Sequence, residues 1–259
     1  MTSPYKTPSG IAAATVVIFR RGADGGAPEL LMVVRSKALR FAGGAAVFPG
    51  GRVDEADRTL ASQLDSALPI DEVAHRIAAM RETLEETGLV IAVREPVSVE
   101  NAIQARQKLA DTGALCPVLE AMGWTLDMER LLPFARWFPQ GEKLTRVFDT
   151  RFYLADLGTG AVDIAVDKTE NTRAFWTTAQ GALDMAEQRE ISVIFPTRRN
   201  LERLACFSDF DAARLDSERY PARTIVPFLS DEDDGRWLRI PDDAGYPVTG
   251  ERLDSAKRQ

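Results

Sequence analysis

Phe48-Pro49-Gly50-Gly51 and, thirty positions after Gly51, Arg81-Glu82-Thr83-Leu84-Glu85-Glu86-Thr87-Gly88-Leu89 are the two pieces of sequence that decide how the chain is read. The first is a loop almost bare of side chains. The second is the end of a helix, with Asp71 as its expected N-cap and Gly88 as its stop. On a helical wheel Val73, Ile77, Met80 and Leu84 form one apolar stripe, and Glu82, Glu85 and Glu86 fall on the opposite face. Ala74, Ala78 and Ala79 are small enough to let a loop pack close. Like charges at these spacings cost a bare helix ~0.2–0.5 kcal/mol per pair. They also occupy the end where the macrodipole disfavours anions. A divalent cation, or Arg81 and other nearby cations, must compensate. Carboxylate oxygens suit a hard cation such as Mg²⁺, which shares phosphate oxygens with its substrate. Gly50 and Gly51 let the backbone offer such a cation a carbonyl. Either piece alone reads as a solvated acidic helix end or a tight turn; the conjunction points to a metal meeting a phosphate.

The bulk composition narrows the rest. The chain has 259 residues, 45% of them hydrophobic, and a net charge of −7. That is enough apolar residue for a packed core. A net acidic chain is a poor non-specific partner for nucleic acid or anionic membrane. No apolar run approaches the ~18 residues of a membrane span, and the first thirty residues carry no signal-peptide pattern. Cys116 and Cys206 have no metal-type spacing and read as reduced thiols of a cytoplasmic protein. The lone His75 excludes a multi-histidine zinc site. Without a Gly-x-Ser-x-Gly elbow it also argues against a Ser-His-Asp hydrolase, so it reads as an ordinary helix residue.

Residues 1–9, with Pro4 and Pro8, read as a flexible arm. Residues 11–19 and 29–34 read as strands joined by a glycine-rich turn, the start of an antiparallel or mixed sheet. A cationic loop with Arg35, Lys37 and Arg40 follows, then a short strand at 45–48. Residues 52–57 read as a continuing loop of mixed charge, 58–69 as mostly polar chain ending at Pro69, 90–93 as a strand, and 101–111 and 117–132 as helices. Residues 145–155 and 172–177 read as strands, and 178–189 and 197–205 as helices. From position 208 the composition turns polar; residues 208–259 read as an extension on the same domain, a candidate for strand exchange or an interface.

The two pieces resemble the signature of the Nudix hydrolases, Gly-x5-Glu-x7-Arg-Glu-U-x-Glu-Glu-x-Gly-U with U bulky and apolar. Gly51 matches its first Gly and residues 81–89 its second half, with Thr83 at the first U. Between them lie sixteen residues more than the pattern holds, assigned to about 55–70. Counted back from Arg81, the middle Glu falls on Val73; Glu72 and Glu55 are the candidates to replace it. Upstream, Arg35-Ser36-x-x-Leu39-Arg40-x-x-x-Gly44-x-x-x-Phe48-Pro49-Gly50-Gly51 is similar to the motif of Nudix coenzyme A diphosphatases, and Arg35 and Arg40 suit phosphate oxygens as bidentate forks. Downstream, residues 146–152 and 170–176 resemble later strands of the inserted-box subgroup, with Glu170 where a further acid often stands. The resemblance covers roughly residues 10–205.

The resemblance implies an α/β fold, a Nudix-type α/β/α sandwich around a mixed β-sheet. Helical insertions, a domain over 10–207 and a C-terminal extension complete the expected organisation. It implies Glu82, Glu85 and Glu86 as ligands of Mg²⁺ or Mn²⁺, helped by Gly50 and Gly51. Glu85, Glu86, Arg81 and Glu170 are the catalytic candidates; Arg35, Ser36, Arg40 and Gly44 are the substrate contacts. The expected reaction is hydrolysis of coenzyme A or acyl-coenzyme A to 3′,5′-ADP and a 4′-phosphopantetheine derivative. ADP-ribose, a dinucleotide such as NADH, or a nucleotide sugar are the alternative substrates. A non-catalytic nucleotide-binding module is the rival from another class. The partner is a small molecule, with neither nucleic acid nor membrane, and a homodimer is possible.

Overall fold

The computed structural model describes residues 10–22, 25–36, 43–139, 147–158 and 171–256. Its elements in chain order are β1 (Ile11–Arg20), β2 (Glu29–Arg35), β3 (Ala46–Val47), β4 (Gly50–Arg52), α1 (Glu55–Gln63), α2 (Ile70–Thr87), α3 (Val99–Thr112) and α4 (Cys116–Met122). Then come β5 (Leu132–Trp137), β6 (Phe148–Asp156), β7 (Asn171–Thr178), α5 (Ala179–Glu187), α6 (Phe195–Leu204), α7 (Phe210–Arg219), β8 (Thr224–Ile225), β9 (Phe228–Glu232), β10 (Gly235–Arg239), β11 (Gly250–Arg252) and α8 (Leu253–Ala256).

The large sheet is mixed. Its main path runs β3-β2-β1-β6-β5-β8, with β4 also on β1 and β7 also on β2. β1 runs parallel to β6 along nearly its whole length and antiparallel to β2 only at Phe19 and Arg20. Beyond that point β2 leaves β1, and β4 takes its place, pairing Ala13, Ala14 and Thr15 with Arg52, Gly51 and Gly50. The split between β1 and β2 is where the chain opens a cleft.

Period-two alternation sends each strand's residues into two separate cores. Val16 and Ile18 of β1, Leu31 of β2 and Tyr153 of β6 pack with α1, α2, α3 and α4. Val17 and Phe19, Leu30 and Met32, and Phe152 and Leu154 pack with α5, α6 and α7. Helices therefore cover both faces, giving the expected α/β/α sandwich. The chain after 208 joins this body: β8 pairs with β5, Phe210 stands edge-on to Phe19 at 5.4 Å, and the Trp137 indole donates to Tyr246 Oη at 3.2 Å. The three strands β9 to β11 form a small sheet of their own.

Four expectations are corrected. Residues 55–63 are a helix, not loop, because Asp54 and Asp57 form a capping box. Helix α2 begins at Ile70 behind Pro69, so Asp71 lies in its first turn rather than at its cap. Residues 90–93 form no strand; Ala92 has φ of 54°, which breaks an extended run and leaves one bridge between Val93 and Leu126. The stretch 117–132 is not one helix, since Gly123 at φ 65° ends α4 and β5 starts at Leu132. Residues 1–9 lie outside the described residues.

Candidate active site

The catalytic candidates meet where α2 ends against β4. The α2 stripe Val73, Ile77, Met80 and Leu84 is buried, with Ala74, Ala78 and Ala79 beside it, so the helix lies tight on the sheet. Gly88 closes it at φ 76°, its N–H donating to Leu84 O. Arg106 on α3 reinforces that end by donating from Nη2 to Glu85 O at 2.7 Å, a cation at the helix terminus that welcomes one.

Each glutamate has a different setting. Glu86 is 3% exposed, and both its carboxylate oxygens are engaged. Gly50 N donates to Oε2 at 2.9 Å, and Asn171 Nδ2 donates to Oε1 at 2.9 Å. Glu82 lies against Gly51: a Cβ there would stand 2.3 Å from its carboxylate carbon. A side chain at this position would push the Glu82 carboxylate aside. Burial, opposed by Arg81 and reinforced by Glu86 and Glu85, pushes the Glu82 carboxyl up to about 8. Glu85 keeps about half of its side chain in solvent.

Arg81 ties the acids to the rest of the chain. It donates from Nε to Asp57 Oδ1 at 3.0 Å, from Nη2 to Asp57 Oδ2 at 3.0 Å and to Arg52 O at 2.9 Å, and from Nη1 to Glu82 Oε1 at 3.0 Å. Burial works against its charge, yet Asp57 and then Glu82 raise its pKa above the ordinary value. Asp57 itself is 1% exposed.

Asp57 corrects the expected reading of the insertion. The signature places its acid six positions after the glycine; six positions after Gly51 is Asp57. The extra sixteen residues therefore lie after the acid, not around it. Counting back from Arg81, across the insertion, had pointed to Val73. Neither substitute does the work. Glu55 is exposed. Glu72 accepts from Arg76, Arg151 and Tyr153 and fastens the other end of α2 to β6. His75 is a buried helix residue bonded to Asp71 O at 2.6 Å. Asn171 was also missed. Its neighbour Glu170 drew attention as an acid, but Glu170 lies outside the described residues, as does Arg40.

The cleft beside these groups holds about 880 Å³, the size of a site for a whole nucleotide conjugate. Its floor is set by the β1–β6 register, which puts Ile11 beside Phe148, Ala13 beside Thr150 and Thr15 beside Phe152. Gly50, Gly51, Arg81, Glu82 and Glu85 stand at one end. Arg35 reaches it from β2, with a buried Nε that has no hydrogen-bond partner among the described residues. Gly44 turns the chain back, its N–H donating to Arg35 O at 3.0 Å; among the described residues, neither Gly44 nor Ser36 is part of the cleft lining. Among the described residues no three acids converge as a ready-made metal cluster. The donor chemistry nonetheless suits a hard divalent cation: three carboxylates share one helix end, and the buried Glu82 is held against a side-chain-free backbone.

The crystal structure of a NUDIX hydrolase from Alicyclobacillus acidocaldarius is 30% identical, with a TM-score of 0.68 over 79% of this chain and 95% of that one. With its split mixed sheet and its acidic helix end, the chain belongs to the Nudix hydrolases and is an enzyme of that class. Within it, the model of the NUDT19 Nudix domain matches residues 58–204, more than half of the chain, and defines the family. Two relatives bear the name acyl-coenzyme A diphosphatase NUDT19. The one from Xenopus laevis is 25% identical over 86% of this chain and 74% of its own length, and the one from Gallus gallus is 27% identical over 86% and 75%.

Proposed function

We propose that the chain hydrolyses the diphosphate linkage of coenzyme A or acyl-coenzyme A. The products are 3′,5′-ADP and a 4′-phosphopantetheine derivative. The observation that carries the substrate is the similarity, over 86% of the chain, to the two acyl-coenzyme A diphosphatases. The Arg35-to-Gly51 motif supports it.

The cofactor is Mg²⁺ or Mn²⁺, held by Glu82, Glu85 and Glu86 with help from the Gly50–Gly51 backbone. When bound, such a cation activates water and neutralises charge on a phosphoryl group. The chain's own residues do the rest. Gly50 and Asn171 hold Glu86 in one orientation. Asp57 fixes Arg81, and Arg81 fixes Glu82. Glu85, the most solvent-accessible of the three, takes up the proton released from the attacking water. Arg35 binds phosphate oxygens and holds the linkage in place. No protein nucleophile is needed.

Incubation with coenzyme A, an acyl-coenzyme A, ADP-ribose, NADH and nucleotide sugars, each with and without Mg²⁺ or Mn²⁺, tests this reading. Comparison of kcat/KM across the panel should favour the coenzyme A compounds. Cleavage of ADP-ribose with coenzyme A untouched would reject the substrate and keep the chemistry. No cleavage of any compound would favour a binding module.

A further inference from the structure

The start of α6 lines the cleft, through Ile194, Pro196 and Thr197, and the rest of the helix holds the C-terminal extension. Its ties to the extension differ in kind. Asn200 accepts from Tyr246, a neutral pair. Arg203 donates from Nε to Asp216 of α7 at 2.8 Å, one guanidinium to one carboxylate. Arg199 serves two acids. It donates from Nη1 to Gly250 O at 2.9 Å, and from Nη2 both to Glu202 Oε1 at 2.8 Å and to Glu251 Oε2 at 3.2 Å. The three side chains are largely buried, so two carboxylates share one guanidinium nitrogen away from solvent. The Oε2 atom of Glu202 is buried with no hydrogen-bond partner among the described residues. Such a setting disfavours the charged carboxylate more than the neutral carboxyl.

We propose that Glu202, Arg199 and Glu251 form a proton-dependent clasp that seats strand β11, and with it the small sheet, on α6. With a proton on Glu202 the cluster holds one guanidinium and one carboxylate, and its charges balance. Without that proton a second buried carboxylate competes for the same nitrogen, and opening to solvent becomes easier. The charged groups around Glu202 are Arg199 and Arg198 on its own helix, Glu187 on α5 and Glu251 on β11. Burial acts most strongly; the two arginines oppose it, Glu251 and Glu187 reinforce it, and the carboxyl is pushed up from 4.5 to about 7. Its contribution to the closed clasp is therefore fully present below the lower value and is lost as pH rises through the upper one. The clasp makes the seat of the extension on the cleft wall responsive to pH, whichever diphosphate the enzyme cleaves.

Hydrogen–deuterium exchange of the full-length protein at about pH 6 and about pH 8, with each rate divided by the intrinsic rate at that pH, tests the clasp. An opening that exposes Glu202 should lower the protection of the β10 and β11 amides about tenfold between the two conditions. Glu202→Gln, which stays neutral, should abolish the fall. Glu251→Gln keeps Glu202 and removes its competitor, so the fall should move to lower pH. Equal wild-type protection in both conditions, the same fall in Glu202→Gln, or an unmoved midpoint in Glu251→Gln would overturn the proposal.

Discussion

Asn171 and Gly50 act on the same side chain from two different strands. Their hydrogen bonds to Glu86, both 2.9 Å, leave that carboxylate little freedom to turn. Hydrogen bonds behind a metal ligand typically contribute 10- to 100-fold in metal affinity or activity. Asn171→Ala should therefore weaken Mn²⁺ binding, read by electron paramagnetic resonance, by about 10- to 100-fold, with the circular dichroism spectrum unchanged. Unaltered Mn²⁺ affinity would detach Asn171 from the site. Glu82 yields a pH prediction. Its carboxyl is raised by burial from 4.5 to about 8, so between these values the folded chain binds a proton that the unfolded chain has lost. Stability without metal should fall as pH rises through that window, and Glu82→Gln should flatten the fall. A melting temperature that climbs from pH 5 to 8 in metal-free buffer would contradict this.

The helix α1 bears on function through one side chain. Asp57 and Arg81 are both buried, and Arg81 in turn holds Glu82. Removing one member of a buried pair leaves an uncompensated charge, at a cost of about 3–5 kcal/mol. Asp57→Ala should lose about that much in urea denaturation and lower activity further, because Arg81 no longer holds its place. A loss under 1 kcal/mol would mean that Arg81 finds another partner. Sequence showed α2 clearly, because its stripe, its alanines and its glutamates repeat within one helix at a period that can be read locally. Gly51 was legible through the glutamates it faces. Asp57 is legible too, by counting six positions forward from Gly51, whereas Asn171 is not, since its partner Glu86 lies 85 positions away. The failures at 90–93 and 117–132 have local causes: a positive φ at Ala92, which its residue type does not announce, and one at Gly123, a helix stop of the same kind as Gly88.

At the scale of the whole molecule, the chain after 208 belongs to the packing of the sandwich. Tyr246 accepts from Trp137 Nε1 and donates to Asn200 Oδ1 at 2.7 Å, all three buried. Tyr246→Phe should cost about 1–3 kcal/mol, the penalty for leaving buried polar groups unmatched, as measured by chemical unfolding. No change would show that water replaces the hydroxyl. The same packing holds β5 and Trp137 against the cleft, so the extension supports one of its walls. The cleft floor, the Gly50–Gly51 edge and the α2 carboxylates together make up the site proposed to cleave a diphosphate. The most direct test is mass analysis of coenzyme A after incubation with the protein. With Mg²⁺, 3′,5′-ADP and 4′-phosphopantetheine should accumulate; with chelator, or with Glu86→Gln, their formation should drop at least about a hundredfold. Intact coenzyme A in the presence of Mg²⁺, or equal product from Glu86→Gln, would contradict the account.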